Sequence, residues 1–482
     1  MSVKRERLHR TFAYAYLATG LAQCAEIGFS YILFKSFEPA QIGLYGWAAA
    51  LIAFFGVAVD LGLESLMVRR ISEGGVRLWD AIGAACLVRL PVILVGALLL
   101  VVLAQGAVIG AEASLFLAVM GSQVVFNVWD GVCRAWLRAH DRQTAANVTA
   151  SCLSILRMLL ILGVSRIPGT TLLDVVAGLL LVRLVTSITF YLWARQTGPA
   201  VQSGTGGVLK LAAVQVRTGV SLGLISLLTV VQNRLDWLLI DRFVSLDALA
   251  SYSMANKLYE ISQVLVGVAI TTLYPLLCRT QHPARVVHEL LLRLVVAFGI
   301  LLGIGGLFTL PDLLDAIFDG KFGDIGVTVR LMMIAVGFMA LSGILYNLAL
   351  ARGMERKLLL VAGLVTATQA LSNYWLIQQL GIVGAAAGML VLVVGTSSGL
   401  TILVVQGGLM SGKTMFRIWS LMLWFAALGA WATLHGSVEI WLAALCFLFT
   451  AIACWLVLFS RSERRELVAI ARRMRNVQGQ SG

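Results

Sequence analysis

The chain is written as long apolar runs separated at short intervals by polar and charged clusters. Mostly apolar runs lie near 11–34, 42–64, 81–106, 113–133, 145–165, 171–193, 218–241, 250–277, 288–310, 327–350, 358–378, 382–405, 416–435 and 438–460. A bilayer's hydrocarbon core is about 30 Å thick and a helix rises about 1.5 Å per residue, so each run is long enough to cross once. Helices also satisfy their own backbone in lipid. The pattern predicts an all-α polytopic membrane protein of about 14 transmembrane helices with short loops and no extramembrane domain.

Composition agrees. Of 482 residues, 59% are hydrophobic and 13% charged, and the mean hydropathy is +0.90. That is more apolar surface than one soluble core could hide. The net charge of +13 invites a nucleic-acid partner, but the distribution of the 37 Lys and Arg points elsewhere. With "MSVKRERLHR" placed in the cytoplasm, 26 of them fall in segments on that side, and only Lys35, Arg166, Arg242 and Lys321 fall in the outer loops. Such asymmetry is a positive-inside signature, which puts both termini in the cytoplasm. The basic balance therefore reports orientation and leaves no nucleic-acid partner to expect.

Few sequence features point to enzymatic chemistry. Gln23 and Glu26 interrupt the first apolar run and no small-residue cleavage site follows it, so it reads as a span and not as a signal peptide. The seven cysteines contain no CxxC pair, and His282 and His288 lack the spacing of a helical metal site, so no metal is expected. Hydrolase, kinase and dinucleotide motifs are absent, and the chain is expected not to be an enzyme.

A faint internal repeat is visible. "EPAQIGLYGWA" (38–48) and "SLDALASYSMA" (245–255) both enter a span, and they align Tyr45 with Tyr252 and Ala48 with Ala255. An offset of six spans preserves orientation, which predicts two parallel lobes. The expected organisation is an N-terminal lobe (1–194), a Gly/Ser-rich cytoplasmic linker (195–217), a C-terminal lobe (218–406), two extra helices (407–460) and a basic cytoplasmic tail (461–482).

The stretches 37–72, 233–279 and 345–390 resemble the Wzx-type polysaccharide transporters of the multidrug/oligosaccharidyl-lipid/polysaccharide (MOP) exporter superfamily. The likeness lies in Asp236 of the seventh span, Tyr252 and Pro275 of the eighth, and "GIVGAAAG" entering the twelfth. The resemblance implies a fourteen-helix flippase of the bacterial inner membrane that moves undecaprenyl-pyrophosphate-linked glycans for exopolysaccharide or O-antigen synthesis. A polysaccharide polymerase and chain-length proteins would be its partners, beside the membrane lipids. Three other readings stand beside it: a cation-coupled multidrug antiporter of the same superfamily, a lipid II flippase, and a membrane-embedded glycan polymerase or ligase. The longest outer loop, 311–326, is short for the last of these.

Cations inside the spans carry the functional expectation. A charge at mid-bilayer costs roughly 2.5–3.5 kcal/mol on insertion scales, so Arg89, Arg157, Arg183, Arg234 and Lys257 are expected to face protein or water. Glu26 is read as the deep carboxylate of the first lobe, with Asp60 and Asp130 near cytoplasmic ends, so cations are expected to outnumber their partners. The five cations then line a lumen that binds an anion, since guanidinium forks match phosphate oxygens. An interhelical ion pair, such as Arg234 or Lys257 with Asp236 or Glu260, is the competing structural reading. Glu26, Asp236 and Glu260 are the candidate carboxylates for coupling to H+ or Na+, and no other cofactor is expected.

Overall fold

A computed structural model describes residues 20–60, 63–72, 77–105, 111–140, 142–197, 208–279, 284–436 and 439–458. The basic N-terminal segment, the tail 461–482 and residues 198–207 of the expected linker lie outside the described residues. The elements are α1 (20–36), α2 (Pro39–Asp60), α3 (Leu63–Ser72), α4 (Leu78–Gln105), α5 (Ala111–Gly121), α6 (Gln123–Ala139), α7 (Gln143–Val164) and α8 (Leu172–Arg195). They continue as α9 (Val208–Phe243), α10 (Leu246–Arg279), α11 (Ala284–Phe318), α12 (Gly326–Ala351), α13 (Glu355–Leu380), α14 (Ile382–Gln406), α15 (Gly412–His435) and α16 (Ile440–Leu458). Among the described residues there is no strand.

Among the described residues, eleven segments are long and apolar enough to cross a bilayer, with α5 and α6 joined as one span, 113–139. Adding α1, α9 and α10 gives the 14 crossings that the apolar pattern predicts. Large apolar side chains such as Leu94, Leu98, Leu364, Leu371 and Trp375 face outward, as lipid-solvated helices require.

Two boundaries differ from the expectation, each for a local reason, and the start of α8 agrees with it. α9 begins at Val208, so residues 208–217 of the expected linker are helical. No proline interrupts the sequence from Val208 to Phe243, so the helix propagates through the Gly219 and Gly223 positions. α11 runs through Pro311 to Phe318, which shortens the expected outer loop 311–326 to a turn at 319–325. There Asp319 (φ 52°), Gly320 and Gly323 take left-handed conformations that end the helix. α8 starts at a capping box in which Thr171 N–H donates to Asp174 at 2.8 Å and Asp174 N–H donates to the Thr171 hydroxyl at 3.4 Å.

The chain divides into two compact units, 1–241 with 245–250, and 242–244 with 251–482. The first packs a core of Met67, Ala81, Val132, Cys133, Trp136 and Phe190, drawn from α3, α4, α6 and α8. Trp136 Nε1 donates to the Thr197 carbonyl at 2.7 Å, which fixes the end of α8. The second is built around α12, whose span is the most buried of the eleven. Gly303 and Gly337 admit the Phe425 ring between α11, α12 and α15, and Ser397 of α14 donates to the Phe338 carbonyl at 2.9 Å.

Candidate functional site

In the first unit, α2, α4 and α6 enclose a cavity of about 290 Å³, with Ser226 of α9 in its wall. Its polar lining is Asp60, Arg89, Asn127 and Arg134, set among small and branched residues such as Gly56 and Val128. Arg89 is 2% exposed and its Nη2 lies 3.1 Å from Asp60 Oδ1, while the Asp60 side chain is 54% exposed. The guanidinium is therefore held in the wall by a carboxylate that remains wet.

Behind Asn127 lies a second charged pair. Arg183 of α8 donates to Asn127 Oδ1, and its Nη2 is 2.9 Å from Asp130 Oδ2. Asp130 is fully buried and its oxygens make no aligned hydrogen bond, so the contact is an ion pair held by charge. Asn127 thus lines the cavity with one side of its helix environment and anchors Arg183 with its amide oxygen.

The remaining predicted residues sit elsewhere. Arg157 of α7 pairs with Glu26 of α1 at 2.9 Å and lies over the Phe29 ring at 4.9 Å. Arg234 stacks on Trp237 at 4.4 Å, and the buried Asp236 accepts the Trp237 backbone N–H at 3.0 Å. Lys257, in the second unit, pairs with Glu260 at 3.2 Å, and Asn256 also donates to that carboxylate at 3.2 Å. Of the five predicted cations, Arg89 lines this cavity and Arg183 reaches it through Asn127; Arg157 and Arg234 do not line it.

One expectation needs correcting. Asp60 and Asp130 do not merely neighbour the basic ends of their helices; they meet Arg89 and Arg183. With Glu26 on Arg157, each of the three arginines has a carboxylate, so they do not outnumber their partners. The cause is packing: partners 29 and 53 residues apart meet because α4 and α8 lay their polar turns against α2 and α6. Arg134 was also missed. A signal for it exists, since Gln123, Asn127, Asp130 and Arg134 recur every three or four residues as one polar stripe of α6.

This is an all-helical, multi-pass membrane protein with a charged cavity inside its first helical unit. The chain belongs to the polysaccharide biosynthesis protein family, whose profile matches residues 8–281. Its fold is similar to that of the lipid II flippase MurJ in an inward closed conformation, with TM-score 0.69 and 13% identity over 94% of this chain and 99% of that one. An inward-facing multidrug resistance MATE family transporter of the MOP superfamily follows, with TM-score 0.54 and 14% identity over 84% and 98%. A eukaryotic MATE transporter gives 0.50 and 14% over 83% and 96%. A search of curated protein sequences finds no match. The family is the one its resemblance points to, and the fold is the one that MurJ and the MATE transporters share.

Proposed function

We propose that the protein flips an undecaprenyl-pyrophosphate-linked oligosaccharide across the bacterial inner membrane, with both termini cytoplasmic, by alternating access of two lobes. The observation that carries this reading is the cavity whose lining brings the Arg89 and Arg134 guanidinium groups together with the half-exposed Asp60 carboxylate. A pyrophosphate is dianionic or more and accepts bidentate bonds, which a guanidinium offers and an ammonium does not. The wet Asp60 carboxylate can yield Arg89 to a phosphate without leaving a buried charge behind. Asn127 and Ser226 add neutral groups suited to glycan hydroxyls.

Membership of a polysaccharide biosynthesis family favours a glycan cargo over a cationic drug, and guanidinium groups in the cavity lining suit an anion. The glycan would pass to a polymerase and chain-length proteins on the far side. Arg157, Arg183, Arg234 and Lys257 would then act as secondary contacts or pair switches. Glu26, Asp236 and Glu260 are the carboxylates proposed to couple transport to H+ or Na+. Transport that persists unchanged in Glu26→Gln, Asp236→Asn and Glu260→Gln under every imposed gradient would remove them from that role.

The experiment is transport of a fluorescent short-chain polyprenyl-pyrophosphate oligosaccharide into proteoliposomes. Arg89→Ala and Arg134→Ala should each lower the rate at least tenfold with unchanged protein incorporation, and Arg89→Lys should retain part of it. Full activity in the Arg89→Ala/Arg134→Ala double variant would rule out this cavity as the anion site.

A further inference from the structure

On its other side, α6 forms a second recess, and its chemistry is the reverse of the first. A groove of about 300 Å³ runs between α4, α6 and α8, walled by Leu90 and Ile93, Val125 and Trp129, and Leu184 and Ile188. Leu90, Val125, Leu184 and Ile188 are all between 43% and 49% exposed, so the groove opens outward from the helical bundle. Pro91 lies in α4 at this place and, having no N–H, leaves the Leu87 carbonyl without its helical donor.

One end of the groove is closed by three aromatic rings. Trp129 and Tyr191 are part of its wall, with centroids 5.5 Å apart, and Trp79 packs on both at 6.3 and 5.7 Å. Trp79 is itself 61% exposed. Amphipathic rings of this kind collect at the level of the lipid headgroups. Two exposed arginines flank them in sequence: Arg77 precedes Trp79 by two residues, and Arg195 follows Tyr191 by one helical turn. Among the described residues next to them in sequence, Asp80 is acidic. From Trp79 to Ile93 is 14 residues of α4, about 21 Å along a helix. One leaflet's hydrocarbon is about 15 Å deep, so the aromatic-to-apolar run spans a single leaflet.

We propose that this groove holds one acyl chain of an anionic glycerophospholipid from the leaflet on the Arg77 side. Its phosphate lies at the aromatic end near Arg77 and Arg195, and its chain extends toward Leu184 and Ile93. The bound lipid would brace α4 and α6, the same two helices that carry Arg89 and Arg134 into the cavity.

The test places a photo-crosslinking amino acid at Ile188, in the groove, or at Leu371, a 73% exposed position on α13 outside it, in nanodiscs of equal phosphatidylglycerol and phosphatidylcholine. Ile188 should capture phosphatidylglycerol at least about fivefold over phosphatidylcholine, the ratio that about 1 kcal/mol from a single basic residue at an anionic surface produces. Leu371 should capture both equally, and Arg77→Gln/Arg195→Gln should bring Ile188 to the same equality. Equal capture at Ile188 and Leu371 in the parent would make the groove ordinary lipid contact and overturn the proposal. Loss of the phosphatidylglycerol signal on adding equimolar polyprenyl phosphate would assign the groove to the transported lipid and overturn it equally.

Discussion

The Asp130 carboxylate lies 2.9 Å from the Arg183 guanidinium, inside the first helical unit and wholly out of solvent. Each charge there exists because of the other. Removing one partner of a buried pair costs about 3–5 kcal/mol, whereas removing both is often near neutral. Asp130→Asn should therefore lower membrane abundance and the melting temperature in detergent, and Asp130→Asn/Arg183→Gln should restore both. Asn127 ties this pair to the cavity, so the double variant is expected to fold but transport more slowly. Thermal unfolding and glycan transport, measured on the same preparations, check the two parts separately.

Arg234 raises the opposite question, because it stacks on Trp237 at 4.4 Å on its own helix. A cation over an indole contributes about 0.5–1 kcal/mol at exposed sites and more where water is excluded. If the arginine meets substrate as a secondary contact, Arg234→Ala should lower export at normal abundance, Arg234→Lys should recover part of it, and Arg234→Ala/Asp236→Asn should show no rescue. Restored export in that double variant would mean that Arg234 serves to balance Asp236. Surface glycan and membrane protein levels, measured together, distinguish the two.

Gly43 of α2 packs against the start of α10. A Cβ built on Gly43 would lie 2.0 Å from the Leu246 carbonyl oxygen, a backbone atom that cannot swing aside. Gly43→Ala should destabilise the protein by more than the ~1–3 kcal/mol usual for overpacking. Gly163→Ala on α7, where nothing lies within 4 Å of the added carbon, should be neutral or stabilising. Folded yield after detergent extraction provides the comparison.

The proposed orientation also has a direct consequence. In a cysteine-free background, single cysteines at Ser36 and Asp319 should react with an impermeant maleimide from outside, and those at Ser72 and Ser411 should not. Labelling of Ser72 from the outside would invert the charge-based map.

Sequence periodicity located the helices because lipid imposes a length and an apolar content on every crossing, and both are local properties. Each of the fourteen apolar runs holds a helix among the described residues, and the largest departures come where a helix outlives its apolar run, as at Val208 and Phe318. Charge placement likewise singled out Arg89, Arg157, Arg183, Arg234 and Lys257 as residues that lipid would not tolerate alone.

Their partners were a different matter. Lys257 and Glu260 sit three residues apart on one helix, a spacing that the sequence shows directly. Arg157 and Glu26 are 131 residues apart, and Arg89 and Asp60 29 apart. No local rule joins residues so distant; the joining is done by helices that pack side by side. By itself the sequence determined that this protein crosses the membrane many times and carries charges there at a cost. Only the tertiary structure decided which carboxylate answers each arginine, because electrostatic energy depends on separation in space and the chain sets only separation along itself.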